Sequence, residues 1–296
     1  MEEYEIIETV RKQKDIPISV ICGEDISRSA YQRFVKNGTG ISVSKFTNML
    51  EKLNLDYSEL KIFNYPQTTD SSKRMIKEMA IAFIRQDVSE LKRISEFVHI
   101  GNERPTEKER HLASLCDLMI ARLTNQTVDV TESLIYQYLV NSMTWTRYEL
   151  ILFNNCMYVF NPEFVEIILD KALFSLSMYQ ITREGKSESF RMLANTIVYF
   201  IQNQKRNLAW KYFDKLDAFK LESDMYFEKN LHLFLSGIWH TIRGDEKGKS
   251  EVKKSLDVCR YLGAKDQHNM NVQLLLHMEK IWNIDFELED VETVSN

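Results

Sequence analysis

Glycine and proline are scarce in this chain, at 9 and 4 of 296 residues. A β-rich protein of this length needs many more turn residues, so the scarcity argues for helix. No run approaches the roughly 20 consecutive apolar residues that span a bilayer. The opening MEEYEIIETVRK lacks the basic-then-apolar order of a secretory signal, and the expected location is cytoplasmic, with no membrane segment. Cysteine is equally spare. Cys22, Cys116, Cys156 and Cys259 stand far apart with no CxxC pair, so neither a zinc site nor a redox motif is implied. Each is expected as a small buried hydrophobe.

Signatures of catalysis are missing as well. The six histidines (His99, His111, His232, His240, His268 and His277) form no HExxH pair, and no glycine-rich phosphate loop or GxSxG is present. His232 and His240 could share a helix face beside Trp239, but two ligands do not make a zinc site. No catalytic residue, metal ligand or cofactor is assigned, and the chain reads as a non-enzyme. The carboxylates are scattered over amphipathic helices, as on solvated faces. The 12 Met, 16 Phe and 13 Tyr are expected mainly in the core, with some suited to an adaptable peptide groove.

Charge is distributed unevenly. The whole chain carries −5. Between Thr9 and Lys52, however, eight basic residues (Arg11, Lys12, Lys14, Arg28, Arg33, Lys36, Lys45, Lys52) face four acidic ones (Asp15, Glu24, Asp25, Glu51). A locally basic module on an acidic body suits nucleic-acid binding by one face.

That module, residues 5–63, reads as five short helices. Ile6, Ile7 and Val10 mark the first, which ends near Lys14. Pro17 suits the first turn of a second through Cys22. After the turn at GED, Ser27 is a good N-cap for a third helix, which closes at Asn37-Gly38. Ser42 or Ser44 opens a fourth, with Val43, Phe46, Leu50 and Leu53 at helical spacing, and a fifth runs from about Asp56 to Phe63. In the third helix Ile26, Tyr31 and Phe34 point inward. Arg28, Gln32 and Lys36 form an outward stripe at i, i+4, i+8, with Ser29 and Arg33 beside it. Arg and Gln can make paired hydrogen bonds to base edges, while Ser and Lys readily bond phosphate. A short helix, a tight turn and a second helix with this stripe make a helix-turn-helix. The candidate DNA-contacting set is Arg28, Ser29, Gln32, Arg33, Lys36 and Lys45.

From Asp70 to Asp285 one helical pattern follows another. Breaks are expected near Gly101–Pro105, Asn125–Asp129, Asn161-Pro162, Gly185, Gly244 and Gly263. Helices of mostly 12–20 residues joined by short turns suggest a solenoid of antiparallel hairpins like the tetratricopeptide class, although the signature Trp-Leu-Gly-Tyr spacing is absent. The stretch TTDSS (Thr68–Ser72) is the best linker, giving domains 1–66 and 67–296. Asn155, Asn195, Asn230 and Asn271 fall 40, 35 and 41 residues apart, each in an otherwise apolar helix. An asparagine side chain can both donate to and accept from an extended peptide, so a ladder of them suits backbone capture. Tyr148, Phe153, Tyr199 and Phe234 are near enough to supply side-chain pockets.

The stretch DISRSAYQRFVKNGTGISVSKFTNMLEKLNLDYSEL resembles the repressor-type helix-turn-helix of the Rgg/MutR (GadR) transcriptional regulators of Gram-positive bacteria, in the peptide-pheromone-sensing RRNPP group. The likeness lies in the Ser-Arg-Ser opening, Arg33-Phe34, Ile41-Ser42 and the LEKLNL ending. Val35, Asn37 and the bulky Tyr31 depart from the family pattern. WTRYELILFNN (Trp145–Asn155) is similar to a W-x-x-Y-E-L-x-L-F-x-N stretch of the family's helical domain. The resemblance implies an all-α protein that binds double-stranded promoter DNA. It also implies that the helical domain forms a homodimer and holds a short hydrophobic signalling peptide on its concave side, as in quorum sensing. A different reading stays open, in which the helical array binds a protein partner and the helix-turn-helix serves only as packing.

Overall fold

Helix starts in the front part of the chain are set by side chains that accept the first free backbone N–H groups. The structure, a computed structural model, describes residues 1–63, 71–100 and 105–288. Helix α1 (Glu3–Gln13) opens on a capping box between Glu2 and Glu5. Pro17 takes the extended N-cap position of α2 (Ile18–Cys22) rather than its first turn. Ser27 accepts the Ala30 amide at 3.2 Å and starts α3 (Arg28–Asn37), which Gly38 closes at φ 60°. Of the two candidate serines, Ser42 caps α4 (Val43–Lys52) through the Lys45 amide. Asp56 caps a 3₁₀ turn at Tyr57–Glu59 that runs into α5 (Leu60–Phe63).

The chain divides into two compact units, residues 1–78 and 79–296, and the division falls within α6 (Ser71–Ile84). The linker expected at Thr68–Ser72 lies largely outside the described residues, as does the boundary after residue 66.

The first unit closes around Ile6, Ile7, Val10, Ile21, Met49 and Leu53, with Tyr31 and Phe34 from α3. Tyr31 is fully buried, and its phenol would be costly there without a partner. It donates to Glu8 Oε2 at 2.7 Å. Both Glu8 oxygens also accept from Arg11 at 2.9 Å, and Arg11 Nη1 reaches the Ile16 carbonyl at 2.7 Å. This chain of charge-assisted bonds locks α3 to α1. The Arg11 guanidinium, aided by the Tyr31 hydroxyl, holds the Glu8 carboxyl down at about 2.

The second unit is a helical-repeat array of α7 (Val88–Ile100), α8 (Glu107–Leu123), α9 (Leu134–Asn141), α10 (Arg147–Cys156), α11 (Pro162–Tyr179), α12 (Arg183–Gln202), α13 (Arg206–Asp217), α14 (Tyr226–Ile242), α15 (Lys247–Tyr261) and α16 (Lys265–Trp282). The protein is all-helical, with no strand among the described residues. Bonds between successive even-numbered helices recur at one separation. Arg147 pairs with Glu188, Asn195 with Asn154 (3.1 Å), Arg183 with Asp224 (3.0 Å) and Ser187 with Glu228 (2.6 Å), each pair 41 residues apart. The odd-numbered helices form a second layer. Glu163 and Glu166 of α11 pair with Lys205 and Lys211, at the head of and within α13. Trp145, Phe153, Phe190, Phe200, Tyr212 and Phe234 are fully buried in this unit.

Two glycine positions differ in meaning. The break expected near Gly185 falls at residues 180–182, and Gly185 itself lies in the first turn of α12, its N–H on Thr182 Oγ1 at 3.1 Å. A Cβ there would stand 1.8 Å from the Tyr179 carbonyl oxygen, so close approach excludes a side chain. Gly248 lets α15 press against α14, since its Cβ would sit 2.5 Å from the Thr241 nitrogen and 2.6 Å from the Gly237 carbonyl oxygen. Turns at 142–146, 203–205 and 218–225 contain no glycine, and Gln204 supplies a positive φ of 56° itself.

Two expectations follow. Gly248→Ala should destabilise the chain by about 1–3 kcal/mol through overpacking, seen as a lower urea midpoint at unchanged slope. Gly40→Ala, with nothing within 4 Å of the new Cβ, is the matched control and should leave the midpoint in place. The second concerns acid. Because Glu8 is depressed from 4.5 to about 2, its contribution is complete above the ordinary value and lost as pH falls toward the folded one. Glu8→Gln should therefore lower the melting temperature at neutral pH and flatten its fall between about pH 4.5 and 2. Parallel curves for the two proteins would show that Glu8 does not hold α3.

Candidate functional site

The outer face of α3 is polar and unobstructed. Arg28, Ser29, Gln32, Arg33 and Lys36 are exposed, as is Lys45 in the first turn of α4. Burial of Tyr31 and Phe34 on the opposite side fixes this orientation. α2, the turn through Gly23 at φ 52° and α3 form the helix-turn-helix, and Asn48 of α4 donates to Asp25 in the turn at 3.2 Å.

The structure sorts the eight basic residues between Thr9 and Lys52 into two groups. Four are used internally. Arg11 and Lys12 pair with Glu8, Lys14 Nζ donates to the Leu53 carbonyl at 2.5 Å, and Lys52 Nζ donates to the Ile21 carbonyl at 3.2 Å. Lys14 and Lys52 thus satisfy carbonyls at the ends of α4 and α2. Arg28, Arg33, Lys36 and Lys45 have no ion-pair or side-chain hydrogen-bond partner among the described residues, nor does Gln32. An unpaired row of cations and one amide on a protruding helix can meet phosphate and base edges with little internal bonding to break.

A second feature lies in the helical-repeat unit. A cavity of roughly 840 Å³ opens where the C-terminal ends of α8 and α12 meet the turn after α10. Its apolar wall includes Leu118, Val130 and Val159, and its polar groups include Arg122, Gln126, Gln202, Asn203 and His277. Tyr158 lines it, stacked on Phe83 with centroids 4.5 Å apart. Tyr199 also lines it, held by a 2.7 Å bond from its hydroxyl to the Phe160 carbonyl, and burial pushes its phenol up to about 12. Trp282 at the end of α16 donates to the Ile201 carbonyl at 3.1 Å, which draws the end of α16 toward that of α12. Arg122 is exposed, with no partner among the described residues. The size and mixed lining suit an organic ligand with a few fixed polar contacts.

The asparagines do not form one row. Asn195 is exposed and donates to Asn154 Oδ1, so its partner in the 41-residue register is Asn154 rather than Asn155. Asn155 bonds back to the Ile151 carbonyl of its own helix at 2.8 Å. Asn230 reaches across to α15, donating to the Ser255 carbonyl at 3.2 Å. Asn271 is buried and accepts from Gln267 at 2.8 Å. Near-repeat spacing alone did not place them on one face, because Asn230 and Asn271 fall six residues short of the register. Phe153 and Phe234 are fully buried core residues and line no surface; Phe153 packs edge-on to Trp145. Tyr148 is half-buried, its hydroxyl 2.9 Å from His111 Nδ1.

The cavity residues that sequence reasoning missed come from four separate segments and share no motif: Arg122 from α8, Tyr158 from the turn after α10, Gln202 and Asn203 from the end of α12, and His277 from α16. His232 contacts Asp217 at 3.2 Å and His240 contacts Glu251 at 2.6 Å, so the two histidines have separate carboxylate partners. Among the described residues no cluster of His, Cys, Asp or Glu could hold a metal, and no helix is long and apolar enough to cross a membrane.

Comparison with known proteins agrees with this architecture. Among solved structures, the SHP pheromone receptor Rgg2 of Streptococcus dysgalactiae is 19% identical, with a TM-score of 0.74 over 94% of this chain and 99% of that one. A candidate transcriptional regulator from Listeria monocytogenes EGD-e is 19% identical, with a TM-score of 0.80 over 95% and 98%. PrgX in its complex with cCF10 is 15% identical, with a TM-score of 0.70 over 94% and 92%. At these identities the likeness is one of fold. Residues 98–272 match the family model of the C-terminal domain of the HTH-type transcriptional regulator Rgg. That match takes in well over half of the chain, which therefore belongs to the Rgg family of transcriptional regulators.

Proposed function

We propose that the protein is a cytoplasmic, homodimeric transcription factor that reads promoter DNA with α3 and responds to a short hydrophobic signalling peptide. The observation that carries the DNA half is the set of unpaired groups on α3, while Arg11, Lys12, Lys14 and Lys52 of the same unit are engaged internally. Arg28 and Gln32 are the base-reading residues. Ser29, Arg33, Lys36 and Lys45 grip the backbone. A single helix-turn-helix contacts few base pairs, and a two-fold dimer reading paired half-sites supplies the remaining specificity.

The peptide half rests on family membership and on the cavity. The solved relatives include a named pheromone receptor and a PrgX/cCF10 complex. In this chain the peptide lies along the cavity at the ends of α8, α10 and α12, its apolar side chains against Leu118 and Val159 and its main chain on Gln202, Asn203 and Arg122. Asn154 and Asn195 sit one helical turn before Tyr158 and Tyr199, where they extend the row of amides beyond the cavity. Residues 67–296 form the peptide-binding and dimerisation domain, residues 1–66 the DNA-binding domain.

Arg28→Ala or Gln32→Ala should cost about 1–3 kcal/mol at the specific promoter site. Lys36→Ala should weaken all sequences similarly and reduce the salt slope by about 1. Gel-shift titrations over a salt series measure both, and unchanged promoter affinity in both Arg28→Ala and Gln32→Ala would remove α3 as the recognition helix. For the ligand, Asn195→Ala and Gln202→Ala should each lower affinity for the hydrophobic peptide encoded beside the gene, roughly tenfold or more, as partners are left unsatisfied. Calorimetry on the full chain reads this directly. Wild-type affinity in both variants would exclude this cavity as the peptide site.

A further inference from the structure

Helix α11 presents a stripe of large apolar side chains to solvent. Ile167 and Phe174 of α11 and Ile181 in the turn after it are spaced seven residues apart, and they are 71%, 73% and 90% exposed. Met178, one turn after Phe174, is 51% exposed. Lys171 Nζ lies 3.4 Å from the Leu139 and Val140 carbonyls, which brings the end of α9 alongside. Val140 and Met143 of that segment are also exposed, Met143 almost completely. The three acidic residues of α11 are engaged within the subunit: Glu163 with Lys205, Glu166 with Lys211, and Asp170 with the Tyr212 hydroxyl at 3.4 Å. Asp170 and Lys171, which fall between Ile167 and Phe174, thus both have partners within the subunit.

The area decides what this face is for. The six apolar side chains expose together on the order of 800 Å², above the roughly 300–600 Å² of the largest patch on a typical monomer. It equals the ~800 Å² that each partner buries in a stable interface of standard size. The spacing points to the occupant. A two-fold interface must be self-complementary, each residue meeting its counterpart across the axis. Isoleucine, phenylalanine and isoleucine at seven-residue intervals read the same in both directions about Phe174. Within α11 the seven residues from Ile167 to Phe174 keep these two on one seam, and Ile181 extends it from the turn beyond the helix.

We infer that two copies of this chain pair through α11, antiparallel, with Phe174 on the two-fold axis against Phe174 of the partner subunit and Ile167 against Ile181 of the partner subunit. The inference rests on the homodimer of the proposed function and names its surface. Glu163 and Glu166 remain at the rim, and Met143 and Met178 fill the flanks of the seam, where a flexible thioether packs well.

The test uses the full chain. Wild type should sediment as a dimer at micromolar concentration, and Phe174→Glu should weaken dimerisation by roughly a hundredfold with helical content unchanged. A cysteine version tests the geometry without burying a charge. Phe174→Cys should cross-link to its own copy on oxidation, because only the axial position faces itself. Ile181→Cys alone should not, while a mixture of Ile167→Cys and Ile181→Cys chains should cross-link to each other. The four native thiols are buried, so the background is low. A dimeric wild type that keeps its affinity in Phe174→Glu and fails to cross-link through Phe174→Cys would overturn this surface and leave the homodimer standing. A monomeric wild type would overturn both.

Discussion

Bonds between helices 41 residues apart hold the repeat unit in register. Arg147 to Glu188, Asn154 to Asn195, Arg183 to Asp224 and Ser187 to Glu228 each join one even-numbered helix to the next at the same offset. Exposed pairs of this kind contribute little individually. Their common offset matters more, because it sets α10, α12 and α14 at matching heights beside one another. The C-terminal ends of α8 and α12 and the turn after α10 then come together, and the cavity is what those ends enclose. Tyr199 belongs to both arrangements: its ring lines the cavity, and its hydroxyl bonds the Phe160 carbonyl at the head of α11.

The front unit solves a different problem. A small helical bundle that offers cations to an outside partner must keep them from folding back on its own carbonyls. Here the division is by position. Lys14 and Lys52 stand where helix ends leave carbonyls unsatisfied, and Arg11 is held by Glu8. The α3 residues stand on a face opposite the core, beyond the reach of any such end. Tyr31 makes this face rigid. An aliphatic residue would fill the same space, but tyrosine adds a polar tether from α3 to α1.

Local chemistry was legible in the residues. Ser27 as a cap, Gly38 as a stop, the inward Tyr31 and Phe34 and the outward Arg28, Gln32 and Lys36 follow from patterns within one helix. Non-local chemistry was not. The turn near Gly185 is legible, but only the position of the Tyr179 carbonyl explains why the residue itself is glycine. The spacing of Asn155, Asn195, Asn230 and Asn271 resembles a repeat, yet on a helix of 3.6 residues per turn a six-residue shortfall turns the side chain by about 240° from the face the register would give it. Asn230 therefore faces α15 and Asn271 is buried among its own neighbours. Phe153 and Phe234 are apolar enough for either core or groove, and nothing along the chain separates those fates. The cavity residues come from the ends of several helices far apart in sequence, brought together by packing alone.

The four thiols illustrate what burial does to chemistry over time. Cys22 is buried in the first unit, and Cys116, Cys156 and Cys259 in the second; burial raises the pKa of each, the Cys116 thiol to about 12. A thiolate is the reactive form, so a folded molecule presents almost none to an electrophile. Modification must wait for local or global opening, and its rate then follows the population of opened molecules. Cys22 and Cys116 belong to different units, so the same reagent keeps two clocks. One runs on the opening of the helix-turn-helix and the other on that of the repeat array, within a single chain at equilibrium.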